Sequence, residues 1–135
     1  MKSLLPIAIV LVLATAYGLW YQRSRGKVVV KSDKGLITQE MIGAVLGARV
    51  TLVQFSSAFC SPCRATRMLL EDVTAEMSDV AYVEIDAEAN LELVRTLDIR
   101  STPTTLFLDR TGHEVGRAMG APKRDQVLSA ISAIR

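Results

Sequence analysis

Only two cysteines occur in the 135-residue chain, and they are three apart, in Phe59-Cys60-Ser61-Pro62-Cys63. An apolar run, Val50-Thr-Leu-Val-Gln-Phe55, leads into them, and Met68, Leu69, Leu70 and Val73 follow at helical spacing. A C-x-x-C pair where a strand gives way to a helix is the sequence form of a dithiol redox site. Two cysteines in one helical turn point the same way, so their sulfurs can close a small disulfide ring. The first lies where unpaired backbone N–H groups and the positive end of the helix dipole favour a thiolate. Pro62 suits the first turn, where its missing N–H is an orphan in any case.

The pattern around this motif is that of an α/β domain. Val28–Val30 is a short β-branched run, and Thr38 is placed to cap a helix over Gln39–Leu46 that Gly47 stops. Val50–Phe55 has the continuous apolar character of a strand covered on both faces. The helix after it is expected from about Ser61 to Met77, with Met68 and Met77 in the core. Val80–Asp86 alternates, with Ala81, Val83 and Ile85 against Tyr82, Glu84 and Asp86. Asn90 is placed to cap a helix to about Leu97. Thr104–Asp109, the turn Arg110-Thr111-Gly112 and His113–Met119 read as a hairpin, and Pro122 opens a last helix carrying Val127, Leu128, Ile131 and Ile134. The order β-α-β-α-β-α-β-β-α predicts a mixed sheet with helices on both faces.

The N-terminus is different in kind. Leu4–Tyr21 is eighteen residues without a charge. At about 1.5 Å per residue it is near the minimum for crossing a bilayer core of roughly 30 Å. Tyr17, Trp20 and Tyr21 gather at its far end, as interfacial anchors do. A cleaved secretory signal is the other reading, since Ala14-Thr15-Ala16 fits a small-x-small cleavage site; the continuing apolar residues and the basic ones that follow favour an uncleaved anchor. Lys2 precedes the span and Arg23, Arg25, Lys27, Lys31 and Lys34 follow it, so the positive-inside count puts the C-terminal side in the cytoplasm. A short tail with a single lysine also occurs on domains sent outward, which leaves the opposite face open. The division expected is an anchor and linker over residues 1–26 and a domain over 27–135.

Charge and residue type exclude other classes. Residues before 26 hold three of the 16 basic side chains and none of the 14 acidic ones, which leaves the rest of the chain at −1. No basic face suggests nucleic acid. A structural zinc site needs four ligands; with two cysteines and one histidine, no metal is expected. His113 sits by a turn and reads as solvent-exposed. Arg64 and Arg67 read either as an exposed helix face or as cations that lower the Cys60 pKa.

With this order in hand, the chain from about Val28 to Arg135 resembles the thioredoxin family. Gln54-Phe-Ser-Ser-Ala-Phe-Cys60-Ser-Pro-Cys63-Arg64 is similar to the family's strand and W-C-x-P-C-K/R segment. Tyr82-Val-Glu-Ile-Asp86 is similar to its third strand, Thr102-Pro103-Thr104 to its cis-proline loop, and Met119-Gly120-Ala121 to the glycine turn after its hairpin. The resemblance implies a thioredoxin fold, a central mixed β-sheet flanked by helices, here with an N-terminal transmembrane helix. With that span, the comparison is to the membrane-anchored thioredoxin-like proteins of bacteria, and so to a single-pass protein of the inner membrane. It implies a protein-disulfide reductase in which Cys60 attacks and Cys63 resolves, with a potential on the order of −270 mV. It implies a cis Thr102–Pro103 bond and a substrate groove framed by Phe59, Ser61, Pro62, Thr102, Pro103 and Gly120. No cofactor is implied. The implied partners are disulfide-bonded proteins and an electron donor, thioredoxin reductase inside the cell or a membrane thiol carrier outside it, with lipid around residues 4–21. A redox-silent adaptor that binds extended peptides in the same groove is the alternative.

Four positions depart from the family pattern. Gln54 stands for its buried acid, Tyr82 for the lysine that pairs with that acid, and Phe59 and Ser56 for its two tryptophans. A buried charge without its partner costs several kcal/mol, so losing acid and lysine together is coherent. Proton transfer at Cys63 then has to pass through water, or through Glu84.

Overall fold

The computed structural model describes residues 4–24, 27–29 and 35–135; Val30, Lys31 and Lys34 lie outside the described residues. Helix α1 (Leu4–Ser24) is long and apolar enough to cross a membrane, and none of its span is buried against protein. A signal sequence has the same length and composition. Along α1, Tyr17 lies with its ring 6.1 Å from Trp20 and 6.2 Å from Tyr21, an aromatic cluster near one end.

The remaining elements come in the expected order: β1 (Val28–Val29), α2 (Gln39–Ile42), β2 (Val50–Ser56), α3 (Ser61–Ala75), β3 (Val80–Asp86), α4 (Leu91–Thr96), β4 (Thr104–Asp109), β5 (Glu114–Met119) and α5 (Arg124–Ala133). They build one five-stranded sheet in the order β1-β5-β4-β2-β3. β2 and β3 are parallel, and β4 runs antiparallel to both β2 and β5. All seven residues of β2 are buried, as its apolar run requires of a strand with both faces covered.

Alternation along the strands sorts the core into two layers. Val53, Phe55, Ile85, Leu106 and Leu108 face Ile37, Ile42, Leu97 and Ile99 around α2 and α4. Val50, Leu52, Val80 and Phe107 face Leu70 and Val73 of α3 and Val127 and Ile131 of α5. Residues of even number on β2 and β3 therefore lie beneath α3. There, at one end, the apolar layer gives way to a polar row: Gln54 is in register with Thr105 of β4 on one side and Glu84 of β3 on the other.

Several expectations are corrected. α2 stops at Ile42, because Gly43 takes the left-handed conformation (φ 66°) that ends a helix cheaply. Gly47, expected to stop it, instead lets the backbone pass close to Val50, where a Cβ would come within 2.2 Å of a carbonyl oxygen. Helix α3 ends at Ala75 rather than Met77, α5 opens after Lys123, and β5 starts at Glu114, with His113 exposed beyond it. Met68 is not core: it is 65% exposed. The buried positions of α3 are Cys63, Thr66, Leu70 and Val73, and at 100° per residue Met68 points roughly 160° away from Thr66 and Leu70, to the opposite side of the helix. Asn90 occupies the N-cap of α4 but makes no side-chain cap bond; its Nδ2 donates to the Asp86 carbonyl.

Candidate active site

The chain leaves β2 at Ser56 and turns through Ser57-Ala58-Phe59 to the N-cap of α3, which is Cys60 itself. Its backbone is extended (φ −97°, ψ 100°), and its Sγ accepts the Cys63 N–H at 3.2 Å. An N-cap is normally an oxygen-bearing side chain that takes one of the orphan amides; here a sulfur occupies that place. Pro62 falls in the first turn, where no amide is needed. The Cys60 and Cys63 Cα atoms are 5.2 Å apart and the two sulfurs form a disulfide. Cys60 is half-buried, and Cys63 is only 2% exposed.

Beneath this turn, Gln54 uses both ends of its amide. Nε2 donates to the Cys63 carbonyl at 2.9 Å, and Oε1 accepts the Tyr82 hydroxyl at 2.7 Å. The two replacements noted in the sequence are thus bonded to each other, and Gln54 is fully buried. Burial, helped by the nearby Glu84 and Glu71 carboxylates, raises the Tyr82 phenol above its ordinary value, so it stays a neutral donor.

Beside the cysteines lies a polar cavity of about 350 Å³ lined by Ser56, Ser57, Cys60, Cys63, Arg67 and Glu84, among others. Glu84 Oε1 accepts the Ser56 hydroxyl at 2.5 Å, and its carboxylate pairs with the Arg67 guanidinium at 2.5 Å. Sequence reasoning reached Glu84 as a proton carrier but not its partners. Those follow from the register that sets Gln54 opposite Glu84 and Ser56 opposite Asp86.

On the other side of Cys60, the Thr102–Pro103 peptide is cis. Thr102 Oγ1 and Ser57 Oγ lie 3.3 Å apart, which ties this loop to the one before Cys60. The Gly120 N–H donates to the Pro103 carbonyl at 2.8 Å, and Gly120 has φ 88°. Phe59 is 98% exposed, and Ser61 and Pro62 are exposed with it. The structure thus joins Pro103 to Gly120 and Thr102 to the Cys60 loop, while Phe59 makes a free-standing apolar rim. Arg64 is exposed and lines the polar cavity, and Arg67 turns to Glu84.

A cysteine pair that caps and opens the helix of a parallel β-α-β unit, in a sheet completed by a hairpin, is the arrangement of the dithiol oxidoreductases. The family model named Thioredoxin matches residues 36–133, and the chain belongs to the thioredoxin family. It is 31% identical over 87 residues to thioredoxin H2-1 of Oryza sativa subsp. japonica, a match covering 64% of this chain and 62% of that protein. It is 29% identical over 97 residues to the thioredoxin of Chlamydia pneumoniae, covering 72% of this chain and 94% of the relative. The Fasciola hepatica thioredoxin structure superposes with a TM-score of 0.59 at 26% identity, over 66% of this chain and 84% of that one. With the Cys60–Cys63 pair in place, membership of this family makes the chain a thiol–disulfide oxidoreductase in general terms.

Proposed function

We propose that the protein is a membrane-tethered reductase of protein disulfides. The observation that carries this is the Cys60 sulfur, half-buried at the start of α3, with an amide N–H aimed at it and a second sulfur within bonding reach. The amide and the helix dipole favour the thiolate of Cys60. That thiolate attacks a substrate disulfide and forms a mixed disulfide; Cys63 then attacks Cys60 Sγ, and the substrate sulfur leaves reduced. Electrons return from thioredoxin reductase or from a membrane thiol carrier, according to the face on which the domain lies. The exposed rim of Phe59, Ser61 and Pro62 and the edge at Thr102, Pro103 and Gly120 fit an extended substrate segment docked beside Cys60.

The unburied apolar helix α1 supports an anchor in the bacterial inner membrane, and the Lys/Arg count supports a cytoplasmic domain. The test is reduction of insulin by the full chain in detergent with dithiothreitol as donor, compared with Cys60→Ser. Reduction by the wild type alone is expected; equal rates would leave the redox-silent adaptor as the reading. A reporter fused after Arg135 reads the membrane face.

A further inference from the structure

The proton of Cys63 needs an acceptor before its sulfur can attack, and the position beneath α3 offers none. Gln54 is an amide with both ends bonded, and Tyr82 is a phenol held neutral. Neither is a base near neutral pH. The row beneath α3 continues, however, from Gln54 to Glu84 on the adjacent strand, about 4.8 Å away and on the same face. Glu84 and Cys63 line the same cavity of about 350 Å³, which is large enough for bridging water.

We propose that Glu84 is the proton acceptor for Cys63 when the mixed disulfide is resolved, acting through water and held in place by Ser56 and Arg67. This rests on the thiol–disulfide reading above. In the step, the Cys63 thiol gives its proton through water to the Glu84 carboxylate. The Cys63 sulfur forms its bond to Cys60 Sγ as the bond from Cys60 to the substrate sulfur breaks. The substrate sulfur leaves as a thiolate and takes up a proton, returned from Glu84 or from solvent. The two cysteines are oxidised to the disulfide, and the substrate disulfide is reduced to two thiols.

The charged and titratable groups around Glu84 are few. Arg64, Arg67 and Glu71 come from α3, Tyr82 and Asp86 from β3, and β2 presents none between Val50 and Ser56. Arg67 pairs with the Glu84 carboxylate at 2.5 Å and Ser56 donates to it at 2.5 Å, so the group is fixed at the edge of the cavity that Cys63 also lines. Asp86 also lines the cavity, but its Oδ1 accepts the Glu88 N–H in a turn at the strand end, and it is exposed.

The test uses the full chain in detergent with fluorescein-labelled insulin as the probe, in stopped-flow from pH 6 to 10. Cys63→Ser isolates formation of the mixed disulfide, and Glu84→Gln, which keeps the size of the side chain, is compared with wild type. Glu84→Gln is expected to leave formation unchanged and to slow resolution at pH 7 about tenfold or more, a modest share of what general acid–base catalysis supplies. The deficit should vanish above the ordinary thiol pKa of about 8.5, where Cys63 ionises unaided. Unchanged resolution at pH 7 overturns the proposal. So does a deficit of equal size at pH 7 and pH 10, which marks a structural role, or the pH-dependent deficit appearing in Asp86→Asn instead. If wild type forms no mixed disulfide at all, the thiol–disulfide reading itself falls, and this proposal with it.

Discussion

Tyr82 of β3 donates its hydroxyl to Gln54 of β2 at 2.7 Å, and Gln54 hands the interaction on to the carbonyl of Cys63. A neutral chain of hydrogen bonds thus holds the first turn of α3 against the sheet, at the two positions where the sequence departs from the family's acid and lysine. Tyr82→Phe leaves Gln54 Oε1 buried without its donor, at a cost of about 1–3 kcal/mol. Denaturant unfolding measures it, and a loss within error would show the bond to be dispensable. The pH dependence has a definite sign. Burial raises the folded phenol above its ordinary pKa of about 10. Its contribution is therefore complete below pH 10 and is lost as pH rises beyond, and Tyr82→Phe should remove that alkaline decline.

Arg117 and Glu114 form an ion pair with side chains 8% and 2% exposed, at 2.5 Å and 2.7 Å. Arg117 also donates to the carbonyls of Leu97 and Asp98, which cap the end of α4. Arg117→Met strands a buried carboxylate and is expected to cost about 3–5 kcal/mol, whereas replacing both partners by apolar residues should recover much of that. Equal losses in the single and double variants would contradict the account.

Arg49 ties three pieces together: it pairs with Asp79 at 2.5 Å and donates to the carbonyls of Ile131 and Ile134 at the end of α5. The bond from Arg49 holds the Asp79 carboxyl below its ordinary value. Its contribution is complete above a pH of about 3.9 and is lost as pH falls through the lower folded value. Wild type should lose stability on that acid limb more steeply than Asp79→Asn, as thermal melts between pH 2 and 5 would show; parallel curves would remove Asp79 from the account.

Phe59 touches solvent almost everywhere, so Phe59→Ala should change stability by no more than about 0.5 kcal/mol. Beside Cys60, its ring is expected to matter for capture. The kcat/KM for insulin should fall several-fold, while reduction of a small aromatic disulfide changes little. A matching loss on both would point to the cysteine turn rather than to docking.

How far the sequence led depends on what each feature needed. β3 and β4 were legible to the residue because both are bounded by turn chemistry and carry β-branched or aromatic side chains. The cysteine turn was legible because strand, proline and helix meet in one short stretch. Met68 was misplaced because four apolar residues in six do not say which stripe is buried; Cys63 and Thr66 decide it. Arg67 with Glu84, and Arg117 with the end of α4, could not be read, because each joins residues 17 to 20 positions apart that only strand register and the hairpin bring together. Gln54 and Tyr82 were legible as joint departures, but not as partners.

α1 ends at Ser24 and β1 begins at Val28, so three intervening residues separate helix from domain. Drawn straight, such a leash reaches no more than about 15 Å. With α1 as the anchor proposed above, Cys60 stays within that leash and the breadth of one domain of the bilayer surface, and encounters with neighbours in the same layer would occur at the high local concentrations, of millimolar order, that short linkers impose. For a carrier of two electrons, choice of customer then becomes a question of neighbourhood as much as of fit.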